Sequence, residues 1–265
     1  DAVRERRSAL IPGPTAVALA RFAARAAQFR NPDPRFGVSQ GDTGHACAQR
    51  KDQNSMKINP DDCAPVEVYK LLIGSITPRP IAFVSSVDTN GVRNLAPFSF
   101  FTAISANPPT LGFSPMVNRQ QNVRDTRANI EASGDFVVNI VSESFVEKMN
   151  QTAVDVPPDV DEFELAGLTP VESTVVGAPR VGEARISMEC RLVQVVDISR
   201  EVLGGAFVIG RVVQFHVDDE LFDDFRIDPD ALATVGRMGG NAYTRTRDRF
   251  DLQRPPLPGT TPAER

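Results

Sequence analysis

The sequence has no Trp, and only two Tyr, two His and three Cys among 265 residues. Recognition through exposed polar aromatics, which leans on Trp and Tyr, has little to draw on. The histidine and cysteine count is too low for a zinc enzyme. Cys47, Cys63 and Cys190 are far apart, odd in number and without a CxxC pair. Neither a disulfide framework nor a zinc site is expected from them, and a reducing cytoplasm is the default compartment. His45-Ala46-Cys47 comes nearest to a ligand pair, and nothing completes it, so no metal is expected. No apolar run approaches the ~18 residues of a membrane span, which argues against a membrane protein. A net charge of −5 leaves no general basic surface for nucleic acid. There is no GxGxxG after a strand, no GxxxxGK[ST] and no GxSxG elbow, so the Rossmann, P-loop and hydrolase fingerprints are missing.

What is plentiful points to a β-rich fold. Sixteen Phe serve burial, and 21 Pro with 18 Gly supply turns at short intervals. Residues 1–55 stand apart: they carry nine basic and five acidic residues, with apolar side chains at helical spacing only over Ala16–Phe29. Asn31-Pro-Asp-Pro34 breaks that stretch. The segment reads as a poorly ordered or partly helical extension ahead of a domain over 56–253. An extended tail follows from Arg254 to Arg265.

Within 56–253, Arg79–Val87 is a β-branched run, Asp88-Thr-Asn-Gly91 a turn that tolerates positive φ, and Val92–Pro97 the returning strand of a hairpin. Further strands are expected over Phe98–Ser105, Thr110–Ser114, Asp135–Val141, Ala184–Ile198 and Ala206–Val217. Long strands turned by Gly and Pro suggest an antiparallel barrel. Helices are expected over Asn118–Glu131, closed by Gly134, over Ser142–Ala153 with Ser142 as N-cap, and from Asp228-Pro229 to about Val235.

Three polar clusters lie on or beside the first strands. They are Thr77-Pro78-Arg79-Pro80 leading into Ser85-Ser86; Asn94-Leu-Ala96-Pro97-Phe98-Ser99; and Ser114 with Arg124-Asp125-Thr126 and Asn129. Singly, each fits strand, core or solvated helix face. Together they suit a phosphate, which wants Arg with hydroxyl and amide donors near a helix start. They also suit a flat heteroaromatic ring between apolar walls, with Pro80 and Pro97 fixing rigid backbone beside it.

The string Tyr69-Lys-Leu-Leu-Ile-Gly-Ser-Ile-Thr-Pro-Arg-Pro-Ile-Ala-Phe-Val-Ser-Ser-Val87 resembles the flavin reductase-like, FMN-binding split-barrel family. So do Gly91-Val-Arg-Asn-Leu-Ala-Pro-Phe-Ser-Phe-Phe101, Asn107-Pro-Pro109 and Arg124-Asp-Thr-Arg-Ala-Asn-Ile130. Phe136-Val-Val-Asn139, Asp161-Glu-Phe-Glu-Leu-Ala-Gly-Leu168, Glu189-Cys-Arg-Leu192 and Gly210-Arg-Val-Val-Gln-Phe-His-Val217 follow in order. The resemblance implies a mainly β, six-stranded Greek-key split barrel, a homodimer with FMN near the subunit interface. FAD is the larger alternative cofactor. It implies that Arg79, Ser85 and Ser86 approach the flavin, that Asn94, Ala96, Pro97 and Ser99 line it, and that Arg124, Thr126 and Asn129 hold its phosphate. The family often has Lys where Arg124 stands. The implied activity is an NAD(P)H-dependent flavin reductase, with NADH or NADPH as transient hydride donor. A flavin-dependent monooxygenase or another acceptor would be the partner. A non-catalytic FMN-binding electron carrier is the alternative, and a split-barrel module without flavin a third. His216 is the one imidazole placed to touch nicotinamide or tune the flavin, or else it packs at a strand end beside Asp218 and Asp219. Tyr243 is a weaker candidate to cover the ring, and Cys190 sits in the core phase of its strand.

Overall fold

The computed structural model of the chain describes residues 50–52, 55–117 and 125–255. The helix expected over 16–29, the first half of the helix expected over 118–131, Arg124, and nearly all of the tail lie outside the described residues.

Seven antiparallel strands form one sheet: β1 (Ala82–Val87), β2 (Arg93–Phe98), β3 (Phe101–Ala106), β4 (Pro109–Phe113), β5 (Asp135–Ile140), β6 (Ile186–Ser199) and β7 (Gly205–Val217). Their spatial order is β2-β1-β5-β6-β7-β4-β3. The sequence neighbours β2 and β3 therefore occupy opposite edges, joined only through Ser99 and Phe100. The sheet curls until those edges approach. Phe98 of β2 meets Phe113 of β4 at 5.0 Å between ring centroids, and Phe113 meets Phe136 of β5 at 5.6 Å. The result is a barrel split along the β2–β3 seam. These are the seven runs read from the sequence, one more than the six strands that the family resemblance implies.

The barrel interior holds Ala82, Val84, Phe98, Phe113, Phe136, Val138, Cys190, Val208 and Val212, with Ile130 from a flanking helix. Gly210 makes this packing fit: a Cβ there would lie 2.3 Å from the Phe136 ring, so only glycine leaves room for it. Cys190 is core as expected. Burial, with the Glu189 charge next to it, pushes its thiol pKa far up, so it is no nucleophile. β1 is buried on both faces. Phe83 and Leu95 pack outward against Phe145, Met149, Phe163, Val181 and Val235 in a second core. The expected hairpin turn is present. Asp88 Oδ1 accepts from the Asn90 and Val92 amides at 2.8 and 2.7 Å, and Gly91 takes φ +87°.

The helices are α1 (Pro65–Ser75), α2 (Asp125–Ser133), α3 (Val146–Gln151), α4 (Glu162–Ala166) and α5 (Pro229–Leu232). Gly134 closes α2 as expected, at φ +77° with its amide donating to the Ile130 carbonyl. The helix expected over Ser142–Ala153 is a 3-10 turn, Glu143–Phe145, followed by the shorter α3. The Ser142 hydroxyl pairs with that of Ser144 at 2.9 Å instead of capping. Asp228 does cap α5, accepting from the Asp230 and Ala231 amides. That helix ends at Leu232 because Ala233 turns to φ +48°, and Val235 begins a strand instead. α1 and α4 were not expected. Leu71 and Leu72 of α1 are more than 40% exposed, so α1 lacks the amphipathic periodicity that reveals a helix.

A short ladder pairs Arg50–Asp52 with Ser55–Lys57. Cys63 is disulfide-bonded, contrary to the expectation. Cys190 is free. Among the described residues, no helix is long and apolar enough to cross a membrane.

Candidate functional site

A cavity of about 340 Å³ runs along the free edge of β2, within the usual size range of small-molecule sites. β2 is paired on one side only, which is why Pro97 is tolerated inside it. Asn94, Ala96, Pro97, Phe98, Ser99 and Phe100 form one wall, continued by Ser114 and Met116. At roughly 3.3 Å per residue that wall is about 20 Å long. Asp125 and Thr126 of α2 close one end beside Asn94. The segment from Met149 to Pro158 forms the far wall, and Tyr69, Arg237 and Tyr243 line the other end.

The α2 end is a closed polar network. Asn94 Oδ1 accepts from the Thr126 hydroxyl at 2.6 Å and the Ser86 hydroxyl at 3.3 Å. Asn129 Nδ2 donates to Ser86 Oγ at 3.3 Å. Asn94 Nδ2 donates to Glu162 Oε1 at 3.0 Å, and the Leu95 amide to Glu162 Oε2 at 2.9 Å. Glu162 comes from α4 and satisfies an amide on the free edge of β2. Burial raises its pKa; the Leu95 and Asn94 hydrogen bonds resist, and the Asp125 charge adds to the rise. These groups answer one another, so their first effect is to fix the first turn of α2 against β2. Sequence reasoning missed Glu162. Its signal was a second acid directly after the Asp161 cap, which itself accepts from the Phe163 amide at 2.9 Å.

At the other end, Arg79 is 4% exposed. Its Nη1 donates to the Ile73 and Ile76 carbonyls, both at 2.7 Å, and its Nη2 to the Met238 carbonyl at 2.9 Å. Its Nε donates to Ser99 Oγ at 3.4 Å. Arg79 thus ties the last turn of α1 to the cavity wall.

The structure gathers Asn94, Ala96, Pro97, Ser99, Ser114, Asp125 and Thr126 around the cavity. Ser86 and Asn129 stand one layer behind. Ser85 lies on the opposite face of β1, donating to the Pro179 carbonyl at 2.5 Å. Pro80 is exposed and off the cavity. Arg124 is outside the described residues. His216 is elsewhere: it lines a separate depression with Arg180, Arg185 and Asp218, and its Nε2 lies 2.5 Å from Glu189 Oε1. Among the described residues, no group of three or more His, Cys, Asp or Glu could hold a metal ion.

Residues 74–234 match the family model described as the flavin reductase like domain. The chain belongs to that family. Its fold is the family's split barrel. An uncharacterised protein of Halalkalibacterium halodurans is 43% identical over 206 residues, which cover 76% of this chain and 98% of that protein. Among solved structures, component B of nitrilotriacetate monooxygenase from Bacillus cereus is 40% identical, with a TM-score of 0.72 over 76% of this chain and all of that one. A 2-nitrobenzoate 2-nitroreductase of Pseudomonas fluorescens is 33% identical, with a TM-score of 0.68 over 75% of this chain and 96% of that one.

The cavity's donor set fits a flavin mononucleotide. It has the first residues of α2 (Asp125–Ser133) at one end and Ala96, Pro97 and Phe100 as apolar walls. The hydroxyls of Ser99 and Ser114 lie along it.

Proposed function

We propose that this protein is an NAD(P)H-dependent flavin reductase that holds FMN in the β2-edge cavity, as a homodimer in the cytoplasm, and serves a monooxygenase or similar acceptor. The observation that carries this reading is the cavity itself, walled along about 20 Å by one edge strand and ending on the first turn of α2. When bound, the flavin supplies the redox chemistry, taking a hydride from the nicotinamide and yielding two electrons to an acceptor. The chain's own residues bind and orient. The α2 amides, with Arg124, hold the phosphate. Arg offers a planar fork where the family often has Lys. Glu162 and Asn94 keep that turn in place. Ser99 and Ser114 donate to ring or ribityl oxygens. Pro97 keeps the wall rigid and removes a competing N–H. The similarity to component B of nitrilotriacetate monooxygenase supports a role supplying reduced flavin to a partner.

The test is the visible spectrum of the purified full chain, before and after FMN is added, then anaerobic addition of NADH and of NADPH. Flavin bands that bleach with either nucleotide are expected. Bound flavin reduced by dithionite but by neither nucleotide overturns the reductase reading in favour of an electron carrier. No flavin bound at all overturns both.

A further inference from the structure

Arg237 and Tyr243 face each other across a hairpin, Val235–Arg237 against Tyr243–Arg245, as direct cross-strand partners. That register lays the guanidinium over the phenol ring, 4.5 Å from its centroid, a cation–π contact. The turn adds a second hold. Gly240 sits at φ +60°, and its carbonyl accepts from Arg237 Nη2 at 2.6 Å. The Tyr243 hydroxyl donates to Asn150 Oδ1 at 3.0 Å on the far wall. Two backbone hydrogen bonds between Arg79 and Arg237, at 2.8 and 2.9 Å, fasten the hairpin to the barrel.

A ring, a carbonyl and the backbone thus hold the fork, and none of them neutralises it. Asp125, Asp155 and Glu162 line the same cavity. Among the described residues, no carboxylate lies within salt-bridge distance of Arg237. The charge is felt nearby: burial lowers the pKa of Arg79, and the charge of Arg237 lowers it further. Arg has five N–H donors; the Gly240 carbonyl takes one, which leaves an edge for a planar oxyanion. Arg79 touches Ser99 and lies 6.0 Å from the Phe100 ring centroid. This end is therefore the Phe100 end, the length of the wall away from α2.

We propose that the Arg237–Tyr243 end of the cavity seats an oxyanion carried by the molecule that exchanges electrons with the flavin. A carboxylate or phosphate group meets the Arg237 fork, and the adjoining flat or apolar part of that molecule lies along the wall toward Ala96. The anion seat stands on the geometry above; only its link to electron exchange rests on the flavin reading.

The test titrates the FMN-loaded full chain with benzoate, benzamide and inorganic pyrophosphate, by calorimetry and by change in the flavin spectrum, for wild type, Arg237→Gln and Arg237→Lys. Benzoate or pyrophosphate should bind saturably, and benzamide at least tenfold more weakly than benzoate. Arg237→Gln should weaken the anion tenfold or more, and Arg237→Lys should recover part of it. FMN affinity in both variants should stay within threefold of wild type. Benzoate binding alone assigns the seat to a carboxylate acceptor, and pyrophosphate alone to the phosphates of the donor. Anion binding equal in Arg237→Gln and wild type, or no anion binding to wild type, overturns the proposal. So does a parallel tenfold loss of FMN, which would make Arg237 part of the flavin seat. If the chain takes up no FMN, the flavin reading fails separately, and calorimetry on the flavin-free chain still decides whether Arg237 holds the anion.

Discussion

Glu162 and Glu189 are both acids of this barrel that bury their carboxylates and hold neighbouring backbone by its amides, yet their protonation is pushed in opposite directions. Glu162, 5% exposed, accepts from one amide and one side-chain NH2 and has Asp125 close by. Glu189, fully buried, accepts from the Thr174, Val175 and Val176 amides at 2.7, 2.6 and 3.0 Å and also meets His216. Burial raises the pKa of both. At Glu189 the three amides and His216 outweigh burial and bring it below the ordinary value; at Glu162 burial, with the Asp125 charge, outweighs the Leu95 amide, its own amide and the Asn94 NH2. The balance of burial, hydrogen-bond donors and neighbouring charge sets the sign. The acid whose pKa is raised lies on the cavity, and the one whose pKa is lowered staples a loop that does not line it.

The largest effect should come from the better satisfied acid. Glu189→Ala strands three amides and an imidazole around a buried hole, and should cost about 3 kcal/mol in urea denaturation. FMN affinity should hold, since the stapled loop does not line the cavity. A loss under about 1 kcal/mol would mean that water replaces the carboxylate, and the contrast between the two acids would weaken.

Glu162→Ala strands two donors and should cost about 2 kcal/mol. Here FMN affinity should fall as well, because the Asn94 amide loses its orientation and Thr126 its fixed acceptor. The discriminating readout is fluorescence titration with FMN. Stability lost with FMN affinity retained would separate the network from the flavin seat.

The strands that matter here were legible in the sequence because each carries a local signal. The hairpin of β1 and β2 announces itself through a β-branched run, Asp88-Thr-Asn-Gly91 and a returning run. Gly134 and Asp228-Pro229 mark helix ends. The cavity wall from Asn94 to Ser99, with Ser114, Asp125 and Thr126, was nominated from polar clusters and from the family resemblance. Glu162 was not, because its partners Asn94 and Leu95 are nearly seventy positions away and nothing local says that an acid after an N-cap will turn inward. Arg237 was missed for the same reason: its meaning depends on Tyr243 lying opposite it and on Arg79 behind it, contacts that only the folded hairpin creates. Arg79 was placed at the flavin by its polar cluster and by the family resemblance. Three backbone carbonyls occupy it instead.

The two acids should also part in their pH dependence, with smaller effects than truncation. A carboxyl raised in the folded state binds its proton more tightly folded than unfolded. Its contribution to stability is full below the ordinary value of 4.5 and is lost as pH rises through the raised value. Glu189 is lowered, so its contribution is present above 4.5 and is lost as pH falls through the lowered value. The stability difference between wild type and Glu162→Gln should therefore shrink as pH rises from about 4.5. That between wild type and Glu189→Gln should shrink as pH falls below it. Urea midpoints across pH 3.5–7 read both. Slopes of the same sign would show that the two acids are not pushed in opposite directions.

The smallest effect sharpens the comparison from the side of the partner. His216→Ala takes one donor from Glu189 and leaves three amides in place, so the loop from Thr174 to Val176 should stay stapled. The loss should be about 0.5–1.5 kcal/mol, a single hydrogen bond's worth. Because His216 lines the depression with Arg180 and Asp218 and not the β2-edge cavity, the rate at which NADH or NADPH bleaches bound FMN should be unchanged. Stopped-flow absorbance reads this directly. A rate that falls tenfold in His216→Ala, with FMN affinity intact, would bring the imidazole into the reaction and break the division between a reacting cavity and a purely structural acid outside it.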